Sequence, residues 1–404
     1  MYGLTLEQAP PYNVPLIYYI VGLFYLLSMC VVAVFYGLHV RDSLDPSAII
    51  LTHLMTLGFF THVMIGTLFQ MVPVIIAEVY TNVRLYSKVL LFTLNLGIFG
   101  FGTSTLLSID FMTILAAFFI FSSLLFFSLY SLQTVARTKE KNPFVKTMLS
   151  ALTFLFIGTI SGAGSFLQYK GLIGGVWLGE LHIKIMIFGW VFLLFCSVAY
   201  KILSMFYVAK EYPLLIKNYL YIIVSALLIL EILSTFYELE NIKLVTNMVL
   251  AGVITIFAFV TLKILKQRKR ARLDITVNFF YFAAINLLVG SVVWVAAFLF
   301  DFKLDIVLGI VFSLGFIYGI INGMLYKIVP FLTWFHLSSS FVYEAEMGEV
   351  IEHKKMKIQF YLFLAAYLLF LLSSLIHQFT IVAVILFFCS SLLLALNLIG
   401  GYLY

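Results

Sequence analysis

Between Asp110 and Arg137 there is no charged side chain, and there is none between Asp274 and Asp301. Runs like these recur along the chain, and they match or exceed the roughly 20 apolar residues that a helix needs to cross a bilayer. Inside lipid no water satisfies a backbone N–H or C=O, so a spanning segment must be a helix or part of a closed barrel. The runs are continuous rather than alternating every second residue, which selects helices over barrel strands. Composition agrees. Of the 404 residues, 63% are hydrophobic and 10% charged, against about half and about a quarter in soluble domains. Too few charges remain for a water-facing shell, so a soluble enzyme is excluded. The reading is an all-α, polytopic integral membrane protein forming one transmembrane domain over residues 1–404.

Splitting the chain at its polar breaks gives twelve expected spans: 14–38, 46–79, 88–109, 111–136, 144–167, 178–208, 214–236, 243–265, 276–299, 306–335, 357–376 and 379–402. The second, sixth and tenth, at about 30 residues, are long enough to tilt or to extend past the hydrocarbon. Of the 24 Lys and Arg residues, seventeen fall after even-numbered spans and four after odd-numbered ones. Positive charge gathers in cytoplasmic loops, so both termini are expected in the cytoplasm, in a multi-pass protein of the inner (cytoplasmic) membrane. The net charge of +6 reports this loop placement and gives no reason to expect nucleic acid. The opening MYGLTLEQAPPYNVPL has no basic segment before its apolar run and does not read as a cleaved signal. Cys30, Cys196 and Cys389 stand singly in apolar runs without a C-x-x-C pair. Iron–sulfur clusters, thiolate copper and covalent c-type heme are therefore unsupported.

The three long spans share a pattern. Gly58, Gly66 and Phe69-Gln70 in the second correspond to Gly189, Ser197 and Tyr200-Lys201 in the sixth. The tenth continues the series with Gly315, Gly323 and Tyr326-Lys327. Fixed offsets of 131 and then 126 residues align every position without a gap. Small residues at this spacing let helices approach closely in lipid. Recurrence every four spans implies three pseudo-repeated four-helix units, roughly 14–136, 144–265 and 276–402.

With these features, the chain resembles the catalytic subunit of the heme-copper oxidase superfamily. His53-Leu54-Met55 followed by Gly66-Thr67-Leu68-Phe69-Gln70-Met71-Val72-Pro73 resembles the second helix of the nitric-oxide-reductase branch. Gly189-Trp190 and Tyr326-Lys327-Ile328-Val329-Pro330 resemble segments of oxidase-like and NnrS-type membrane proteins. The resemblance implies a low-spin heme ligated by His53. It also exposes departures. The family's binuclear centre takes a histidine on the sixth helix, two on the seventh and two on the tenth. Here Leu214–Phe236 contains none, and neither does Ile306–Ile320. A conventional terminal oxidase is not expected.

Ionisable groups inside a bilayer are costly and so are functional candidates. His53 lies about seven residues into its span, some 10 Å deep at 1.5 Å per residue. It reads as a heme or copper ligand, or else as a packed histidine. His182, with Met186 one turn on, offers imidazole and thioether to a soft metal and is the expected second ligand beside His53, with Met186 as an alternative; the competing reading pairs it with Glu180. His62 shares the Gly58/Gly66 face and reads first as a structural hydrogen-bonder, then as a cofactor ligand. His377 sits in a short break and reads as solvent-facing, with a metal role as second ligand beside His53 as the alternative. His39 also falls toward the periplasm, and His336 and His353 toward the cytoplasm. Lys201 and Lys327 read as snorkelling cations or, with Gln70, as part of a cytoplasmic polar cluster. The Lys263–Arg272 run and the Glu344–Lys357 loop read as solvated segments near anionic lipid.

Two functions compete. One is a heme-binding protein (b-type heme, with copper as a further candidate) acting in electron transfer, nitric oxide or oxygen response, or metal handling. Its partners would be membrane lipid and a quinone or periplasmic cytochrome, with any turnover oxidoreductase-like. The other is a cofactor-free transporter of a small solute or metal ion. An accessory structural subunit is a third.

Overall fold

The computed structural model describes residues 6–37, 40–107, 109–174, 177–269, 274–339 and 348–403. His39, residues 270–273 and Glu344–Met347 lie outside them. The described residues form helices and no strand. Among the described residues, twelve helices are long and apolar enough to span a membrane. They are α1 (Asn13–Tyr36), α2 (Pro46–Ile76), α3 (Val83–Leu107), α4 (Phe111–Ala136), α5 (Pro143–Tyr169) and α6 (Trp177–Tyr207). The series continues with α7 (Leu214–Phe236), α8 (Glu240–Lys266), α9 (Ile275–Phe300), α10 (Asp305–Leu337), α11 (His353–Ser373) and α12 (Phe379–Tyr402). This is a multi-pass membrane protein. Its exposed side chains, Phe24, Phe92 and Phe99 among them, are those of a surface solvated by lipid.

Polar side chains cap the starts of α5 and α9. Asn142 accepts from Val145 N–H at 3.1 Å, with Pro143 at the first helical position of α5. Asp274 does the same for α9, accepting from Thr276 N–H at 3.0 Å and from its hydroxyl at 2.6 Å. Each cap satisfies a donor that the helix itself leaves unpaired. The starts of α3 and α11 differ most from expectation. α3 begins at Val83 rather than 88, and α11 at His353 rather than 357. Arg84, Lys88, Lys354, Lys355 and Lys357 therefore lie on helix ends rather than in loops. A helix whose first turns protrude from the hydrocarbon keeps its backbone bonds and tolerates charge there.

The chain divides into two compact units, residues 1–10 with 69–271, and 11–68 with 272–404. In the first, α4 packs between α3 and α5, α5 on α6, and α7 on α8. In the second, α1 packs on α2 and α12, α9 on α10, and α11 on α12.

The repeat is built into the backbone. α2, α6 and α10 are the most buried spans, with 78, 72 and 67% of their windows covered against at most 61% elsewhere. Each contains a π-helical stretch: Leu54–Phe60, Ile185–Phe192 and Val311–Tyr318. Their first residues are 131 and then 126 apart, the same offsets that align the sequence. The glycines inside them pack against the first helix of the same repeat. A Cβ on Gly58 would lie 2.7 Å from Tyr25 of α1, on Gly189 2.6 Å from Phe154 of α5, and on Gly315 2.6 Å from Asn286 of α9. α2 and α6 also end alike, in left-handed residues at Ala77 and Val208, again 131 apart.

Candidate functional site

His53 is the last residue before the π-helical stretch of α2 and is half-buried. Its Nδ1 lies 2.8 Å from the Ile49 carbonyl oxygen. With Nδ1–H donating to that carbonyl, Nε2 carries the ring's lone pair, and the ring's orientation is fixed by its own helix. His62, two turns further in, is fully buried. Its Nδ1 lies 3.0 Å from Leu57 O, five residues back, a carbonyl of the π-helical stretch. Tyr18 and Tyr25 flank its ring, with centroids at 6.0 and 5.4 Å.

The structure brings His182 and Met186 together on one face of α6, against α5. His182 Nδ1 lies 2.9 Å from Gly158 O. Its ring covers Gly162, where a Cβ would come within 2.6 Å of Cε1. Met186 covers Gly158, where a Cβ would come 2.5 Å from Sδ. The G-x-x-x-G spacing on α5 makes this seat possible. His182 belongs to the first unit and His53 to the second. His377 is exposed between α11 and α12 and caps α12 through its backbone carbonyl, which accepts from Thr380 N–H and hydroxyl. His336 is exposed, its ring stacked on Tyr12 at 4.9 Å.

A feature missed in the sequence lies beside His182. Lys184, at the position equivalent to His53, is buried and pairs at 2.5 Å with the buried Glu231 of α7. Glu231 also accepts from Thr246 of α8 at 2.7 Å. Lys184 reaches Glu180 at 2.8 Å, and Glu180 reaches Lys243 at 3.1 Å. Charge thus alternates in sign from the exposed Glu180 to the buried Glu231. The signal was present: two lone, opposite charges on consecutive spans, each near the end where α6 begins and α7 finishes.

The polar positions at the other end also differ from expectation. Lys327 does not snorkel; it is buried and ion-paired with Asp274. Burial opposes ionisation of Asp274, but the Lys327 ammonium and the Thr276 hydrogen bonds outweigh it and hold the carboxyl below the usual range. His353 is not merely solvated, because its Nε2 accepts from Ile275 N–H at 3.2 Å and ties α11 to the start of α9. Gln70 is buried, with its amide nitrogen unpartnered among the described residues.

No protein-family model matches the chain, and no curated protein matches it. Among the described residues, no three His, Cys, Asp or Glu side chains are grouped to hold a metal ion.

Proposed function

We propose that the protein binds a b-type heme in the cytoplasmic membrane, with His53 as the residue that would hold its iron. The observation that carries this reading is the hydrogen bond from His53 Nδ1 to Ile49 O. Ligating histidines are commonly held in this way, because a fixed tautomer and ring plane leave Nε2 directed at iron. The donor chemistry fits: a neutral imidazole would hold the iron through Nε2. A bound heme would supply one-electron chemistry. The chain's own part is to orient imidazole, exclude water and set the surrounding dielectric. With no histidine on α7, a three-histidine copper site has no ligands there. The role is electron transfer or nitric oxide/oxygen response, fed by a quinone or periplasmic cytochrome, with both termini cytoplasmic.

A second reading rests on the graded charges from Glu180 to Glu231, which suit a proton- or cation-coupled transporter without cofactor. The visible spectrum of the detergent-purified protein, with a pyridine hemochrome assay, separates the two. A Soret band lost in His53→Ala and kept in His377→Ala supports heme at His53. A colourless protein, or a spectrum unchanged in His53→Ala, overturns it and leaves the transporter reading.

A further inference from the structure

In the first unit, α3 and α4 meet closely over small residues and leave a gap where the residues are larger. Gly97 and Gly100 bring α3 against α4, where a Cβ would lie 2.7 Å from Ile120 and 3.3 Å from Ala116. Nearer the basic-loop end neither helix has a glycine, and a groove of about 280 Å³ opens between them. Leu85, Val89 and Thr93 of α3 face Ser122, Ser123 and Phe126 of α4 across it. From Leu85 to Thr93 it runs about 12 Å at 1.5 Å per residue, most of one leaflet of a hydrocarbon core about 30 Å thick.

Its walls suit hydrocarbon. Ser122 donates to Phe119 O at 3.3 Å, Ser123 to the Thr93 hydroxyl at 2.8 Å, and Thr93 to Val89 O at 3.0 Å. These hydroxyls are engaged within the protein, so a polar ring or a water in the groove would forfeit its own hydrogen bonds. An acyl chain forfeits none. Leu85 and Val89 are exposed, so the groove opens sideways to lipid.

At its basic-loop end the groove meets a group of aromatic rings. Tyr86 packs edge-on against Phe126 and Tyr130 at 5.6 and 5.4 Å, and Phe126 stacks on Tyr130 at 5.5 Å. Rings of this kind mark the level of the lipid headgroups. Phe126, Tyr130, Gln133 and Arg137 follow at intervals of four, three and four residues, so one face of α4 leads from the groove to Arg137. There Arg137 Nη2 donates to Val79 O at 2.7 Å, while its Nε lies 3.8 Å from Glu78 Oε2, too far for a hydrogen bond. Both side chains are partly exposed, at 39 and 27%. A loosely paired guanidinium and carboxylate thus present one charge of each sign at headgroup level. The guanidinium fork suits a phosphate, and a primary ammonium brings three donors to a carboxylate. A purely anionic headgroup would set its charge against Glu78, and a choline would offer it no N–H.

We infer that the groove between α3 and α4 seats one acyl chain of a phospholipid with a phosphoethanolamine headgroup, its phosphate on Arg137 and its ammonium on Glu78. The site is separate from His53 and does not depend on heme.

Native mass spectrometry of the full chain tests it, with the detergent-purified protein titrated with phosphatidylethanolamine, phosphatidylcholine or phosphatidylglycerol of identical acyl chains. Phosphatidylethanolamine should bind about two- to fivefold more tightly than the other two, the range that an exposed ion pair provides. Glu78→Gln should reduce it to the phosphatidylcholine value while binding itself persists. Ser122→Leu and, separately, Val89→Phe fill the groove and should weaken all three lipids about tenfold, the worth of two buried methylenes. Equal binding of the three headgroups, tighter binding of phosphatidylglycerol, or wild-type binding by the groove-filling variants overturns the inference. Glu78→Gln changes a partly exposed side chain outside the helices, so the headgroup comparison stands even where a groove variant fails to fold.

Discussion

α2 and α6 share a backbone and differ in the side chain carried at its most conspicuous point. Both widen into a π-helical stretch at equivalent residues, press a glycine against the preceding helix, and end in a left-handed residue. Immediately before the wide turn, α2 places His53, held by its own helix at Ile49 O, and α6 places Lys184, held by α7 at Glu231. A neutral imidazole needs only one local acceptor to sit in lipid. An ammonium needs a full counter-charge, and Glu231 with Thr246 provides it. In these two repeats the polar group enters the membrane at the same point, while the residue chosen decides whether it is a neutral imidazole or a charge. Function resides in the substituents rather than in the fold.

The largest effect should come from breaking the ion pair. Lys184→Ala strands the Glu231 carboxylate, and removal of one partner of a buried pair costs about 3–5 kcal/mol. Thermal melting in detergent should show a large loss, recovered in good part by Lys184→Met with Glu231→Leu, which removes both charges. His53→Ala should be far milder in the same assay, since no charge is left behind. Equal losses in Lys184→Ala and His53→Ala would break the distinction between the two positions.

The shared backbone makes the next, smaller prediction. A Cβ at Gly58 or Gly189 meets a ring atom of Tyr25 or Phe154 within 2.7 Å, and neither ring moves without disturbing the helix pair. Gly58→Ala and Gly189→Ala should each cost about 1–3 kcal/mol, the usual range for overpacking. Gly252→Ala, with nothing within 4 Å, should not destabilise. A tolerated Gly58→Ala beside a damaging Gly189→Ala would show that the two repeats do not pack alike.

Much of this is legible in the sequence. Span positions follow from apolar length, and Leu214–Phe236 and Phe379–Tyr402 coincide with the expected bounds. The aligned glycines foretold where α2, α6 and α10 approach their neighbours. The π-helical turns were not legible, because a one-residue widening leaves the hydrophobic pattern unchanged over so short a stretch. Lys327 was misread because a lone cation near a helix end has the pattern of snorkelling whether or not an aspartate waits beside it. Asp274 stands 53 residues away, and only the fold joins them.

The smallest effect tests the repeat most finely. In the first repeat, Tyr80 returns from the loop after α2 to pack edge-on against Phe69 and donate to Ser131 of α4 at 3.2 Å. In the second, Tyr212 packs edge-on against Tyr200 and lies 2.8 Å from the Thr261 hydroxyl of α8. Each Tyr→Phe change removes one hydroxyl hydrogen bond, worth about 0.5–1.5 kcal/mol. The two losses should not be identical. Thr261 also donates to Phe257 O at 2.8 Å, so its hydroxyl keeps a partner when Tyr212 is truncated. Ser131 is fully buried and relies on Tyr80 for the contact described. Tyr80→Phe should therefore lower the melting temperature more than Tyr212→Phe, each by a few degrees at most. The reverse order would mean that the matched rings, and not the hydroxyls, set the strength of this contact in both repeats.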